Sequence, residues 1–220
     1  MTTELPAPPR RVLATRNARW AQSLARWMGG IGIRPNGVSI AGVAFALVAG
    51  LAFYFASDAA GGRRSALLIL AAASIQLRLL CNLLDGMLAV EGGFKSATGE
   101  IYNDFPDRVA DVFILVGAGY ASALAGWGAE LGWAAALLAV FTAYVRLLGG
   151  SLGVTQHFIG PMAKQHRMFT LTVGTLFAAV EAVAGMQPRA ITIALALIVA
   201  GSIVTIVRRT ARIAAEVNAR

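Results

Sequence analysis

Six long apolar blocks constrain this chain more than any other feature. They lie at about 37–56, 65–90, 107–126, 131–153, 168–186 and 190–207. A helix that crosses the roughly 30 Å hydrocarbon core of a bilayer needs about 20 largely apolar residues, and each block is long enough to supply them. Turn signals separate the blocks: Gly61-Gly62, Gly92-Gly93, Gly126 to Gly128, Gly160-Pro161 and Gln187-Pro188. Composition agrees, with 57% of residues apolar and 14% charged, against roughly 45–50% and about 25% in soluble domains. The expected fold is all-α, a polytopic membrane bundle of about six transmembrane helices forming one domain. No internal repeat is evident.

The positive charges give the bundle a direction. With the N-terminus inside, the cytosolic face receives Arg10, Arg11, Arg16, Arg19, Arg26, Arg34, Lys95, Arg108, Lys164, Arg167, Arg208, Arg209, Arg212 and Arg220. The opposite face receives only Arg63, Arg64 and Arg189. Cytosolic loops retain Lys and Arg, so this orientation is expected, in an integral cell membrane. The net charge of +8 then reports topology and contact with anionic lipids, and nucleic acid is not an expected partner.

Ahead of the first block, Val12, Trp20, Leu24 and Trp27 alternate with arginines, a pattern that fits a helix lying in the membrane interface or a basic, partly ordered arm. The first 36 residues carry Pro6, Pro8 and Pro9 and no early apolar core, so they do not resemble a cleaved signal peptide. The expected organisation is a basic arm with an interfacial amphipathic helix at 1–36, a six-span domain at 37–208 and a basic cytosolic tail at 209–220. Trp127 and Trp133 fall near the opposite interface, where indole rings favour the headgroup level. The single cysteine, Cys81, reads as a small packing residue.

Ionisable side chains within apolar spans need a reason, since each costs at least roughly 2.5–3.5 kcal/mol near the bilayer centre. Asn82 and Asp85 are three apart near the cytosolic end of the second span, and Asp107 and Asp111 are four apart near the cytosolic start of the third. Those spacings put each pair on one helix face. Consecutive spans run in opposite directions, so the two pairs lie in one leaflet and can converge. Three carboxylates in one place repel unless cations neutralise them. Hard divalent ions fit, because they take carboxylate oxygens and leave positions for substrate phosphate. His157, His166 and Cys81 lack zinc-ligand spacing. Arg146, Lys164, His166 and Arg167 add cations on the same side, as phosphoryl chemistry requires. The alternative is that the acids pair with Arg78, Arg108 or Arg146 and hold helices together.

From Asn82 to Asp111 the sequence resembles the CDP-alcohol phosphotransferase family, whose signature reads DxxDGxxAR, then eight to twelve residues, then GxxxDxxxD. Here the segments read NxxDGxxAV and NxxxDxxxD, with Asp85, Gly86, Ala89, Asp107 and Asp111 in register. Arg34 to Ile40 is similar to the TPNxxT segment that opens the family's first span, and Gly160 to Arg167 is similar to its basic loop. The resemblance implies transfer of a substituted phosphate from a CDP-linked lipid, such as CDP-diacylglycerol, to an acceptor alcohol, with release of CMP. It also implies two divalent ions, Mg²⁺ or Mn²⁺. By position, Asn82, Asp85, Asp107 and Asp111 are the implied metal ligands, and Asp111 is also the implied catalytic base. Gly86, Ala89 and Asn103 are implied at the cytidine diphosphate, and Arg146, Lys164 and Arg167 at acceptor or lipid phosphate.

Three positions depart from the signature. Asn82 replaces an aspartate, Val90 an arginine and Asn103 a glycine, and Gly99 permits a second register ending at Asn103 and Asp107. Pro106 argues against a continuous helix from Glu100 and Asp104 into Asp107 and Asp111. Two further readings stay open, a relative that binds nucleotide or lipid without turnover and a transporter with an ion path through Arg78, Asp85, Asp111 and Glu181. Transport favours carboxylates spread through the bilayer depth, whereas these gather at one surface. The small residues Gly42, Ala46 and Gly50 offer a surface on which another helix can pack, as in a homodimer.

Overall fold

The computed structural model describes residues 19–91, 99–123 and 126–220. Seven helices are present: α1 (Arg19–Gly30), α2 (Pro35–Ser57), α3 (Gly61–Glu91), α4 (Gly99–Tyr120), α5 (Gly128–Ser151), α6 (Lys164–Val183) and α7 (Arg189–Asn218). There is no strand among the described residues. Pro35-Ser57, Gly61–Ala89, Gly128–Ser151 and Arg189–Asn218 are long and apolar enough to cross a membrane. The N-terminal parts of α4 and α6 instead carry the ionisable residues discussed below.

Local chemistry sets the helix ends. Pro35 opens α2 at a position whose N–H has no intrahelical partner. Arg34 before it is extended, at φ −90° and ψ 144°, as a residue preceding proline prefers. At the other end of α2, Arg64 donates from Nε to the Ala56 carbonyl at 3.1 Å and from Nη2 to the Ser57 carbonyl at 3.0 Å. These are carbonyls the helix cannot satisfy by itself. Contrary to the expectation from Pro106, α4 is one continuous helix through that residue. Proline removes a single ladder donor, and its cost is offset where the flanking turns are held by tertiary contacts.

Six helices close into a ring in the spatial order α2, α3, α6, α7, α5, α4 and back to α2. The sides are joined through small residues. A Cβ on Gly50 of α2 would come within 2.6 Å of the Phe113 carbonyl oxygen, and one on Gly117 of α4 within 2.6 Å of Gly50 Cα. Gly119 and Gly132 bring α4 against α5 in the same way, and Gly174 meets Ala194 between α6 and α7. Such close backbone approach gains dispersion contact without relying on an aqueous hydrophobic effect. Gly42, Ala46 and Gly50 are buried inside the chain by this packing, Gly42 against Cys81 of α3. The helix-packing surface expected at these residues is therefore used within one chain.

The interior is built from alanines such as Ala46, Ala49, Ala135 and Ala139, around Phe53, Leu68, Ile75 and Ile114. The larger apolar side chains point outward, among them Phe55, Leu137, Phe177, Val180, Ile193 and Val207. In water that distribution would be an aggregation surface; in lipid it is the contact face. Outside the ring, α1 packs Ala21 and Ala25 with Leu24 and Met28 on Leu84, Met87 and Leu88 of α3. Trp20 and Trp27 project away from that contact and are exposed. Val12 lies outside the described residues.

Candidate active site

Ring helices alternate in direction, so one end of the ring collects the starts of α2, α4 and α6 and the ends of α3, α5 and α7. The polar side chains expected to converge do so at this end, by a route the sequence does not display. Helix α2 lies between α3 and α4, which touch each other little directly, and long cationic side chains close the gap.

Asp111 is the most enclosed acid among the described residues, 1% exposed. Its Oδ1 accepts from Arg78 Nη2 at 2.8 Å and its Oδ2 from Arg167 Nη2 at 2.9 Å. Arg78 also donates to the Asp107 carbonyl at 3.1 Å and to Asp107 Oδ1 at 3.4 Å. Asn82 Nδ2 donates to that same Oδ1 at 3.1 Å. Lys164 Nζ, at the first residue of α6, donates to Asn82 Oδ1 at 2.6 Å and to Asp107 Oδ2. Asp85 stands on the α2 side, where Ser39 Oγ donates to its Oδ2 at 2.8 Å. A small cleft between Ser39, Arg78, Asn82, Asp85 and Asp107 is walled by Gly42, Cys81, Pro106 and Ala110.

Other expected residues fall around this group. Gly86 and Ala89 follow Asp85 on α3 and are half-buried. Arg146 of α5 pairs with Asp104, Nη2 to Oδ1 at 2.9 Å, and stacks over Phe158. It therefore lies one turn from the Asp107 cluster. Arg108 reaches Asp104 at 3.8 Å and Asp107 at 3.6 Å. The pairing of the site acids weighed from sequence as an alternative is thus present for Arg78 and Arg108, whereas Arg146 pairs with Asp104 instead. The side chains of Asn103 and Val90, and Lys95, lie outside what the structure describes.

Several participants were not evident from sequence. Ser39 stands where the similar opening segment ends in threonine, and that was the available signal for a hydroxyl facing Asp85. Thr142 accepts from Arg167 Nη1 at 3.0 Å, and Arg167 Nη1 also reaches the Met162 carbonyl at 2.9 Å. Arg209, assigned from sequence to the cytosolic tail, is 4% exposed. It donates to the Thr142 carbonyl at 2.6 Å and the Ile159 carbonyl at 2.9 Å, fastening the segment that delivers Lys164 and Arg167. Thr205 adds to this fastening by accepting from Met162 N at 3.0 Å. No local pattern marks these three residues.

The donors present can be tested against a divalent ion. Among the described residues no three acids, histidines or cysteines are gathered as metal ligands. Both Asp111 oxygens face guanidinium groups. Asp85 Oδ1, by contrast, is buried and accepts no hydrogen bond. Mg²⁺ needs only one or two protein carboxylates when substrate phosphate completes its shell. Asp85 fits that requirement for one ion together with Asp107 Oδ1, whose partners are the neutral Asn82 amide at 3.1 Å and Arg78 at a long 3.4 Å.

The fold defines a class: an all-helical integral membrane protein whose helix ring gathers a charged site at one end. Among the solved structures it resembles are those of Mycobacterium tuberculosis phosphatidylinositol phosphate synthase (PgsA1). With CDP-DAG bound, that protein matches at a TM-score of 0.74 and 19% identity, over 89% of this chain and 94% of that one. In complex with manganese and citrate it matches at 0.72 and 19%, over 88% of each chain. The apo form gives 0.68 and 19%, over 85% of this chain and 92% of that one. No protein-family model and no curated protein matches the sequence.

Proposed function

We propose that this chain transfers a phosphatidyl-type substituted phosphate from a CDP-linked lipid to an acceptor alcohol and releases CMP. The observation that carries the reading is the convergence of Asp85, Asp107 and Asp111 with Lys164 and Arg167 at one end of the ring. The similar PgsA1 structures, one with CDP-DAG and one with manganese, support it. In this reading Asp85 and Asp107 hold Mg²⁺ or Mn²⁺, with Asn82 beside them. The metal's chemistry there is to offset charge on the phosphate oxygens during transfer.

Lys164 and Arg167 face the transferred or acceptor phosphate, with Arg146 at the rim, and Gly86, Ala89 and Asn103 border the cytidine diphosphate. Asp111 takes the acceptor's proton. For that, Arg167 leaves Asp111 Oδ2 for a phosphate oxygen and frees it to accept. Six helices, α2 to α7, span the plasma membrane in this reading, with the site facing the cytosol and α1 in the interface against anionic lipid. The domain limits are 1–36, 37–208 and 209–220.

A second reading, a nucleotide- or lipid-binding relative without turnover, draws on one observation: guanidinium groups hold both oxygens of Asp111. A screen of candidate alcohols with CDP-diacylglycerol, following CMP release with and without chelator, separates the two. Metal-dependent CMP release that disappears in Asp85→Asn and Asp107→Asn is the expected result. Release undiminished by chelator would refute the metal role, and no release with any alcohol would favour the second reading.

A further inference from the structure

We infer that the Lys164 ammonium occupies the position of a second cation, so that this site binds one divalent ion and not two. The proposed transferase reading supplies the diphosphate substrate; the count itself rests on the donors. Asp85, Asp107 and Asp111 meet four protein cations: Arg78 on Asp107 and Asp111, Arg167 on Asp111, and Lys164 and Arg108 on Asp107. The group carries no net negative charge before any ion arrives.

The remaining oxygens limit what can be added. Asp111 is held at Oδ1 by Arg78, whose side chain is 2% exposed, and at Oδ2 by Arg167, 1% exposed; the oxygen that Arg167 leaves for a substrate phosphate is the one that takes the acceptor's proton. Asn82 offers only a neutral amide oxygen, and that oxygen already accepts from Lys164 Nζ at 2.6 Å. An ammonium has three donors, so with Asn82 and Asp107 engaged, Lys164 keeps one for a phosphate oxygen. That is the bridging role a second ion would have. What stays open is Asp85 Oδ1, buried and unpartnered at the cleft it shares with Asp107. One or two carboxylates plus substrate phosphate are enough for one Mg²⁺ or Mn²⁺.

Charge gives the same count. The diphosphate of a CDP-linked lipid carries two negative charges, which one divalent ion balances. A second ion would add further uncompensated positive charge to a low-dielectric site, an unfavourable arrangement unless further anions enter. Placing a carboxylate at position 82 and removing the ammonium at 164 would recreate a second anionic cradle.

The test counts Mn²⁺ bound by the full-length purified protein in the presence of CDP-diacylglycerol, from the loss of the free-ion electron paramagnetic resonance signal. About one Mn²⁺ per chain is expected in the native protein and about two in the Asn82→Asp/Lys164→Gln double variant, from the ligand requirement above. Two ions, or none, in the native protein would overturn the inference, whether or not the variant folds. A folded double variant that still binds one would also overturn it. CMP release in the same samples, once the candidate acceptor alcohols are added, reports separately on the transferase reading: one ion without release from any alcohol removes that reading and leaves the count, while two ions with release does the reverse.

Discussion

Arg78 and Asp111, 33 residues apart in sequence, meet at 2.8 Å with side chains 2% and 1% exposed. Because α2 lies between most of α3 and α4, this ion pair is a direct polar link between the two helices that carry the acids. Arg167 closes the other side of Asp111 from α6. Three helices of the ring therefore depend on one carboxylate.

Removing one member of such a buried pair strands the other charge, which typically costs about 3–5 kcal/mol. Arg78→Met is expected to lose stability of that order, read as a lower unfolding midpoint in detergent. Arg212→Met, at the exposed Arg212–Glu216 pair, is expected to change it little. Equal midpoints for Arg78→Met and the native protein would show that the pair does not hold α3 to α4.

Asp111→Asn discriminates the two registers of the signature. An amide keeps the size but cannot accept a proton, and proton abstraction typically contributes about 10²- to 10⁴-fold. At matched folded amounts, turnover is expected to fall by at least about 10²-fold with little change in CDP-lipid affinity. In the other register Asn103 and Asp107 form the final pair. Near-normal CMP release by Asp111→Asn, with loss in Asn103→Ala, would establish that alternative and remove Asp111 as base.

Topology can be read with single cysteines in a Cys81-free variant. Thr155 precedes α6 at the site end and Gln187 lies at the opposite end, both exposed. With Lys and Arg retained inside, Thr155→Cys is expected to resist an impermeant thiol reagent in intact cells and Gln187→Cys to react. The reverse labelling pattern would invert the protein and put the site outside.

The contact of Gly50 with Gly117 predicts a cost for one methyl group. Each added Cβ would meet backbone at 2.6 Å, where no flexible side-chain end can yield. Overpacking of this kind typically costs about 1–3 kcal/mol. Gly117→Ala is expected to lower the unfolding midpoint, whereas Gly62→Ala, with nothing within 4 Å, is not. Indifference to both would mean that α2 and α4 separate easily.

Hydrophobic runs and helical spacing are local properties, so the sequence by itself determined that the chain is helical and apolar enough to cross a membrane. It also put Asn82 with Asp85 on one helix face and Asp107 with Asp111 on another. It located helix ends less well: α7 runs to Asn218 although apolarity stops near 207, because apolarity marks contact with lipid while the backbone ladder continues into water. Only the tertiary structure decided how the ring closes, with α2 between α3 and α4. The pairings that follow join residues 46 apart for Ser39 and Asp85, 56 for Asp111 and Arg167, and 82 for Asn82 and Lys164. Such pairings have no signature in local pattern. They arise when backbone packing at Gly50, Gly117, Gly119 and Gly132 brings the helix ends together, and buried charges then take whichever partners lie within reach.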